Sequence, residues 1–132
     1  MKLEHIGIAI QSLEQSNDLF SKLLGHTPYK EELVESEHVL TSFFSVGNTK
    51  IELLEATNEK SAIAKYLTKN REGVHHLAFG VENLEYEINR LKKEGFEFIN
   101  ETPKEGADNK LVVFLHPKTT NGVLVELCMD KK

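Results

Sequence analysis

Two histidines and two glutamates in this 132-residue chain are placed as metal ligands would be. His5 and His76 each open an alternating apolar run, while Glu52 and Glu126 each sit inside one, Ile51-Glu52-Leu53-Leu54 and Val123-Leu124-Val125-Glu126-Leu127-Cys128. Burying an unpaired carboxylate costs several kcal/mol or neutralises it, so a glutamate in such a run normally has a cation beside it. Two imidazoles and two carboxylates make an N2O2 set. That set suits Zn, Co, Ni, Mn or Fe(II) and leaves two octahedral positions open for a reacting molecule. One such residue alone is ordinarily a polar group at a strand start or edge, so the case rests on the four together.

A repeat relates them. His5-Ile6-Gly7-Ile8-Ala9-Ile10-Gln11-Ser12-Leu13-Glu14 aligns without a gap to His76-Leu77-Ala78-Phe79-Gly80-Val81-Glu82-Asn83-Leu84-Glu85, at an offset of 71 residues, and the two glutamates lie 74 apart (126 − 52). In each copy a strand leads into a helix that starts at a capping residue, Ser12 with Gln15 three positions on, and Asn83. Leu13, Phe20, Leu23 and Leu24 in the first helix, and Leu84, Ile88 and Leu91 in the second, have helical spacing, and Gly25 and Gly95 end the helices. Strand-like runs follow at Thr41 to Val46 and Lys50 to Leu54, then at Leu111 to Leu115 and Val123 to Cys128. Each copy therefore reads β-α-β-β-β. Ser61 to Leu67 reads as a short linker helix before the polar stretch Lys69 to Gly73, which places the boundary between halves near residue 70. Such halves are too small to stand alone, so a single domain, 1–132, with modules at about 1–70 and 71–132, is expected.

Strand alternation assigns the faces. Ile6, Ile8 and Ile10, and in the second copy Leu77, Phe79 and Val81, form a large apolar face suited to a helix. His5, Gly7 and Ala9, and His76, Ala78 and Gly80, form a face of small residues with open space beside a histidine. His75 points to the opposite face from His76 and has no counterpart in the repeat. His26, His38 and His116 also lack repeat partners and are expected in loops or at strand ends.

Composition narrows the function classes. With 39% apolar and 28% charged residues and a net charge of −5, the chain is an ordinary globular sequence and not a general nucleic-acid binder. Cys128 is the only cysteine, so no intramolecular disulfide forms. No run is long and apolar enough for a membrane span, and strand-like sequence begins almost at Met1, which predicts a cytoplasmic protein without a signal or transit peptide.

The segments His5-Ile6-Gly7-Ile8-Ala9, Lys50-Ile51-Glu52-Leu53-Leu54-Glu55, Gly73-Val74-His75-His76-Leu77-Ala78-Phe79, His116-Pro117-Lys118-Thr119 and Asn121-Gly122-Val123-Leu124-Val125-Glu126-Leu127 carry a resemblance. Together, and in this order over nearly the whole chain, they resemble the vicinal oxygen chelate superfamily of glyoxalase I, extradiol dioxygenases and fosfomycin-resistance proteins. Within it they are most similar to the methylmalonyl-CoA epimerase family. The resemblance implies a glyoxalase-like α+β fold, two tandem βαβββ modules forming one curled mixed sheet around a metal site. It implies one divalent ion (Co, Zn, Ni or Mn), an acyl-CoA substrate and, since paired modules of this superfamily often dimerise, a homodimer. The implied reaction interconverts the 2R and 2S forms of methylmalonyl-CoA by α-proton abstraction through a metal-stabilised enolate, which requires an acid/base group on each side of the carbon.

By resemblance Glu126 is both metal ligand and one acid/base. The second falls to Glu52 through its matching place in the repeat, because Thr41-Ser42-Phe43-Phe44, where some relatives carry a glutamate, holds no carboxylate. Glu35 and Glu37 are the nearest upstream. Lys104, Lys110 and Lys118 are read as solvated surface charges, although CoA phosphates need cations. The competing readings are a glyoxalase I-type lyase acting on a glutathione hemithioacetal and a metal-free small-molecule-binding protein of the same fold. An extradiol dioxygenase fits less well, since that chemistry uses two histidines and one carboxylate.

Overall fold

The helix starts are set where capping side chains meet the first free N–H groups. The computed structural model describes residues 1–131. Ser12 Oγ accepts from the Gln15 N–H at 3.2 Å and Asn83 Oδ1 from the Tyr86 N–H at 3.0 Å, so the helices begin where the sequence predicts. Gly25, at φ 83°, ends the first helix and donates its N–H to Ser21 O at 2.9 Å, a left-handed turn that only glycine adopts freely.

In the first half the elements are β1 (Lys2–Ala9), α1 (Leu13–Leu24), β2 (Lys30–Val34), β3 (Val39–Val46) and β4 (Thr49–Ala56). The linker helix α2 (Ala62–Lys69) leads to β5 (Gly73–Gly80), α3 (Leu84–Lys93), β6 (Lys104–Glu105), β7 (Lys110–Leu115) and β8 (Val125–Asp130). The βαβββ order of both copies and the α+β class are thus as expected. β8 starts at Val125, two residues later than its apolar run, because Asn121 and Gly122 turn at positive φ.

The chain divides into two compact units, one of Met1–His5 with the segment from His76 onward, the other Ile6–His75. β1 gives Lys2–His5 to the first and Ile6–Ala9 to the second. In the Ile6–His75 unit, β2, β3 and β4 are successive antiparallel neighbours, with Thr41 opposite Leu54 and Phe43 opposite Glu52. Ile8 and Ile10 pack with Leu13, Phe20 and Leu24 of α1 and with Phe44 and Leu53. Burying side chains of this size contributes about 2 kcal/mol each. Leu23 departs from the expected stripe: it is 71% exposed, as is Leu19 at 62%, because the buried stripe of α1 is narrower than its apolar composition. The other face of β1 is not open at Ala9, which is fully buried against Val39, Leu54 and Ile63 of α2.

In the other unit, β5 runs parallel to β8, pairing Ala78 with Glu126 and Gly80 with Cys128. β7 is antiparallel to β8, pairing Phe114 with Glu126 and Val112 with Cys128, and the two-residue β6 lies beside β7. Leu84, Ile88 and Leu91 of α3 pack on Val113, Leu115 and Leu127, joined by Phe79 and Val81. The opposite face carries His76 and Glu126, with Ala78, Val112, Cys128 and Phe114 packed together beyond them. Val112, Cys128 and Phe114 cover Ala78, so the face is closed at that position. No helix among the described residues is long and apolar enough to cross a membrane.

Candidate metal centre

Three strands of one unit bring three of the expected ligands together. His5 comes from β1, His76 from the middle of β5 and Glu126 from β8, where the parallel β5–β8 register sets Glu126 beside Ala78 on the histidine face. Their relative exposures are 5%, 6% and 6%, so none of the three is solvated in the ordinary way. His5 Nε2 lies 3.1 Å from His76 Nε2, with the rings edge to face at 85°. Glu126 Oε1 is 3.5 Å from His76 Nε2 and Oε2 is 3.8 Å from His5 Nε2. The donor atoms all lie within 4.8 Å of one another.

This donor set fits a divalent ion. Ligand atoms about 2.1 Å from one ion are about 3.0 Å apart when at right angles and about 3.4 Å apart when tetrahedral. The histidine nitrogens match that spacing and the carboxylate is slightly outside it. Burial pushes the Glu126 carboxyl up to about 7, and Glu4 adds to the rise, while His5 and Lys104 oppose it. A carboxylate held so far from its ordinary range regains its charge when a cation is placed beside it. His76 also stands edge-on to the Phe114 ring, centroids 6.0 Å apart, which fixes the imidazole plane.

Glu52, the fourth expected ligand, is 4% exposed in β4 of the Ile6–His75 unit. Cross-strand pairing puts it on the same face as Leu54, Phe43 and Thr41, and the Thr41 hydroxyl is buried there without a hydrogen-bond partner.

The remaining histidines have structural roles. His75 packs its ring on Tyr66 at 5.0 Å in the Ile6–His75 unit, where burial lowers its pKa. His38 occupies a left-handed position and bonds Asn58, His116 accepts from the Lys118 N–H, and His26 is exposed. Lys118 pairs with Glu97 at 3.0 Å and Lys110 with Asp130. Glu35 and Glu37 form a short 3-10 turn after β2.

One residue of the site is missed by the sequence reading. Glu4, 5% exposed, accepts from His5 Nδ1 at 2.5 Å. Strict alternation puts neighbours on opposite faces, so Glu4 reads as an outward-facing residue. The available signal is a carboxylate directly preceding a candidate ligand in an otherwise apolar strand.

A sequence profile of the Glyoxalase/Bleomycin resistance protein/Dioxygenase superfamily matches residues 4–114. The methylmalonyl-CoA epimerase of Dictyostelium discoideum is 44% identical over 128 residues, covering 96% of this chain and 76% of that protein. The ethylmalonyl-CoA/methylmalonyl-CoA epimerase of Cereibacter sphaeroides is 39% identical over 128 residues, covering 96% of both. Among solved structures, a methylmalonyl-CoA epimerase in complex with methylmalonyl-CoA and ammonium superposes with a TM-score of 0.92 at 32% identity, covering 98% of this chain and 94% of that one. The chain belongs to this superfamily and, within it, to the methylmalonyl-CoA epimerase family of enzymes.

Proposed function

We propose that the chain interconverts (2R)- and (2S)-methylmalonyl-CoA by removing and returning the α-proton at one divalent ion held by His5, His76, Glu126 and Glu52. The observation that carries this reading is the convergence of His5, His76 and Glu126 donor atoms within 4.8 Å in a buried site. Burial of Glu52 in the matching place of the repeat supports it as the fourth ligand. When bound, an ion such as Co, Zn, Ni or Mn supplies Lewis acidity that lowers the barrier to α-proton removal by several kcal/mol.

The protein's own groups do the rest. Glu126 has two carboxylate oxygens, one for the ion and one to exchange a proton with the substrate carbon, and burial already disfavours its free anion, the direction that makes a carboxylate a better base. Glu52 is the acid/base on the other side of the carbon. A proton taken from one face by one carboxylate is returned by the carboxyl group on the other. The two modules, about 1–70 and 71–132, act as one domain, and the enzyme works as a cytoplasmic homodimer. Light scattering at a mass near twice 15.0 kDa checks the last point.

The test follows the α-proton by NMR in deuterated water with metal-loaded, chelator-stripped and Glu126→Gln protein. Metal-dependent exchange accompanied by the second epimer, both lost in the variant, is the expected result. Absence of exchange in protein carrying one ion per chain refutes the epimerase reading. A Glu52→Gln variant that keeps both metal and turnover removes Glu52 from the acid/base pair.

A further inference from the structure

We infer that Glu4 is a positioning residue that sets the tautomer of His5 and thereby makes its Nε2 a ligand; this rests on the proposed metal site. A carboxylate buried in a strand must find a partner or be neutralised, and Glu4 is 95% removed from solvent with Oε1 at 2.5 Å from His5 Nδ1. A hydrogen bond from an imidazole N–H to a carboxylate is charge-assisted and stronger than one between neutral groups.

The backbone is arranged for this contact. Along β1 the burial runs buried at Glu4, buried at His5, half-buried at Ile6, buried at Gly7, half-buried at Ile8 and buried at Ala9. Regular alternation holds from His5 onward and is broken only where Glu4 and His5 meet, so adjacent residues that ordinarily point apart are both turned inward. Gly80 of β5 lies beside the glutamate stem: a Cβ built there would stand 3.5 Å from the Glu4 Cγ, so the glycine leaves the stem its room.

The chemical consequence lies at the other ring nitrogen. A neutral imidazole carries one N–H, and a carboxylate can only accept, so the proton sits on Nδ1 and the lone pair on Nε2. Nε2 is the atom 3.1 Å from His76 Nε2 and 3.8 Å from Glu126 Oε2. Glu4 thus aims a lone pair into the candidate metal centre without touching the ion or the substrate. Partners of this kind contribute about 10- to 100-fold to metal affinity.

The experiment has two readouts. Long-range 15N–1H NMR of chelator-treated protein reports which His5 nitrogen is protonated, and competition with a chromophoric chelator measures Co and Zn affinity of wild type, Glu4→Gln and Glu4→Leu. The expected results are a wild-type His5 protonated on Nδ1, a mixed tautomer in Glu4→Leu and metal affinity reduced about 10- to 100-fold in both variants. An unchanged tautomer together with unchanged affinity overturns the inference. If Glu4→Leu does not fold, the isosteric Glu4→Gln decides through affinity. If wild type binds neither ion, the metal reading fails, while the tautomer in metal-free protein still decides the role of Glu4: Nδ1–H in wild type and its loss in Glu4→Leu uphold it, and Nε2–H in wild type overturns it.

Discussion

Replacing Glu126 by glutamine should change the pH dependence of stability in a direction the site dictates. Burial raises the Glu126 carboxyl from 4.5 to about 7 in the folded, metal-free protein. Below pH 4.5 the group is protonated in both folded and unfolded chains and contributes no difference. Between 4.5 and about 7 the folded chain keeps a proton that the unfolded chain has lost, so stability falls as pH rises. Above about 7 the full penalty is present, and a shift of about 2.5 units corresponds to about 3 kcal/mol. Glu126→Gln carries no titrating group there. Urea unfolding of chelator-treated wild type and variant, compared from about pH 4 to about pH 8, should therefore show the wild type losing about 3 kcal/mol relative to the variant. Titrations remote from the site cancel in that difference; those of groups that act on Glu126, His5 first, stay in it. Adding a divalent ion at about 100 times its Kd should restore about 2.7 kcal/mol to the wild type, and less to the variant. A difference that stays flat across the range refutes the argument that burial governs this carboxyl.

His76→Ala should lose the bound ion while His75→Ala keeps it, as counted by plasma mass spectrometry, since only His76 faces His5 and Glu126. Ser42→Ala should raise stability by about 1 kcal/mol in chemical denaturation, because the Ser42 hydroxyl is fully buried without a hydrogen-bond partner; a comparable loss would show that the hydroxyl is bonded. Leu127→Ala, which opens a cavity between β8 and α3, should cost about 2–5 kcal/mol by the same measurement, and a cost under 1 would mean that α3 is not seated there.

The repeat made the first strand and helix of each half legible, because His5 to Glu14 and His76 to Glu85 share both pattern and caps. The strands that follow were legible only where their residues are apolar. β2 runs Lys30-Glu31-Glu32-Leu33-Val34 with no buried position, so nothing in its composition separates it from a polar loop. β6 is two exposed charged residues, defined by its pairing with β7. At the site, alternation put His76 and His75 on opposite faces, and His76 lies beside His5 and Glu126; the same rule concealed Glu4, since the burial pattern breaks where two neighbours turn inward together. The small-residue faces were read as vacant; a cavity of about 670 Å³ does lie at Gly80, whereas Ala9 and Ala78 are both fully buried. Small side chains leave room that neighbouring elements fill, and Ile63 of α2 does so at Ala9.

The division of the chain also orders events in time. Ile6–His75 is continuous, so every residue of that unit is present once His75 has been synthesised. The unit holding the triad is discontinuous, joining Met1–His5 to residues 71 positions and more downstream. At about 5–20 residues per second, roughly 4 to 14 s separate the emergence of His5 from that of His76, and Glu126 follows later still. The triad is therefore completed only once Glu126 has been made, and a chain that stops after His75 holds the residues of the Ile6–His75 unit and only one of the three, His5.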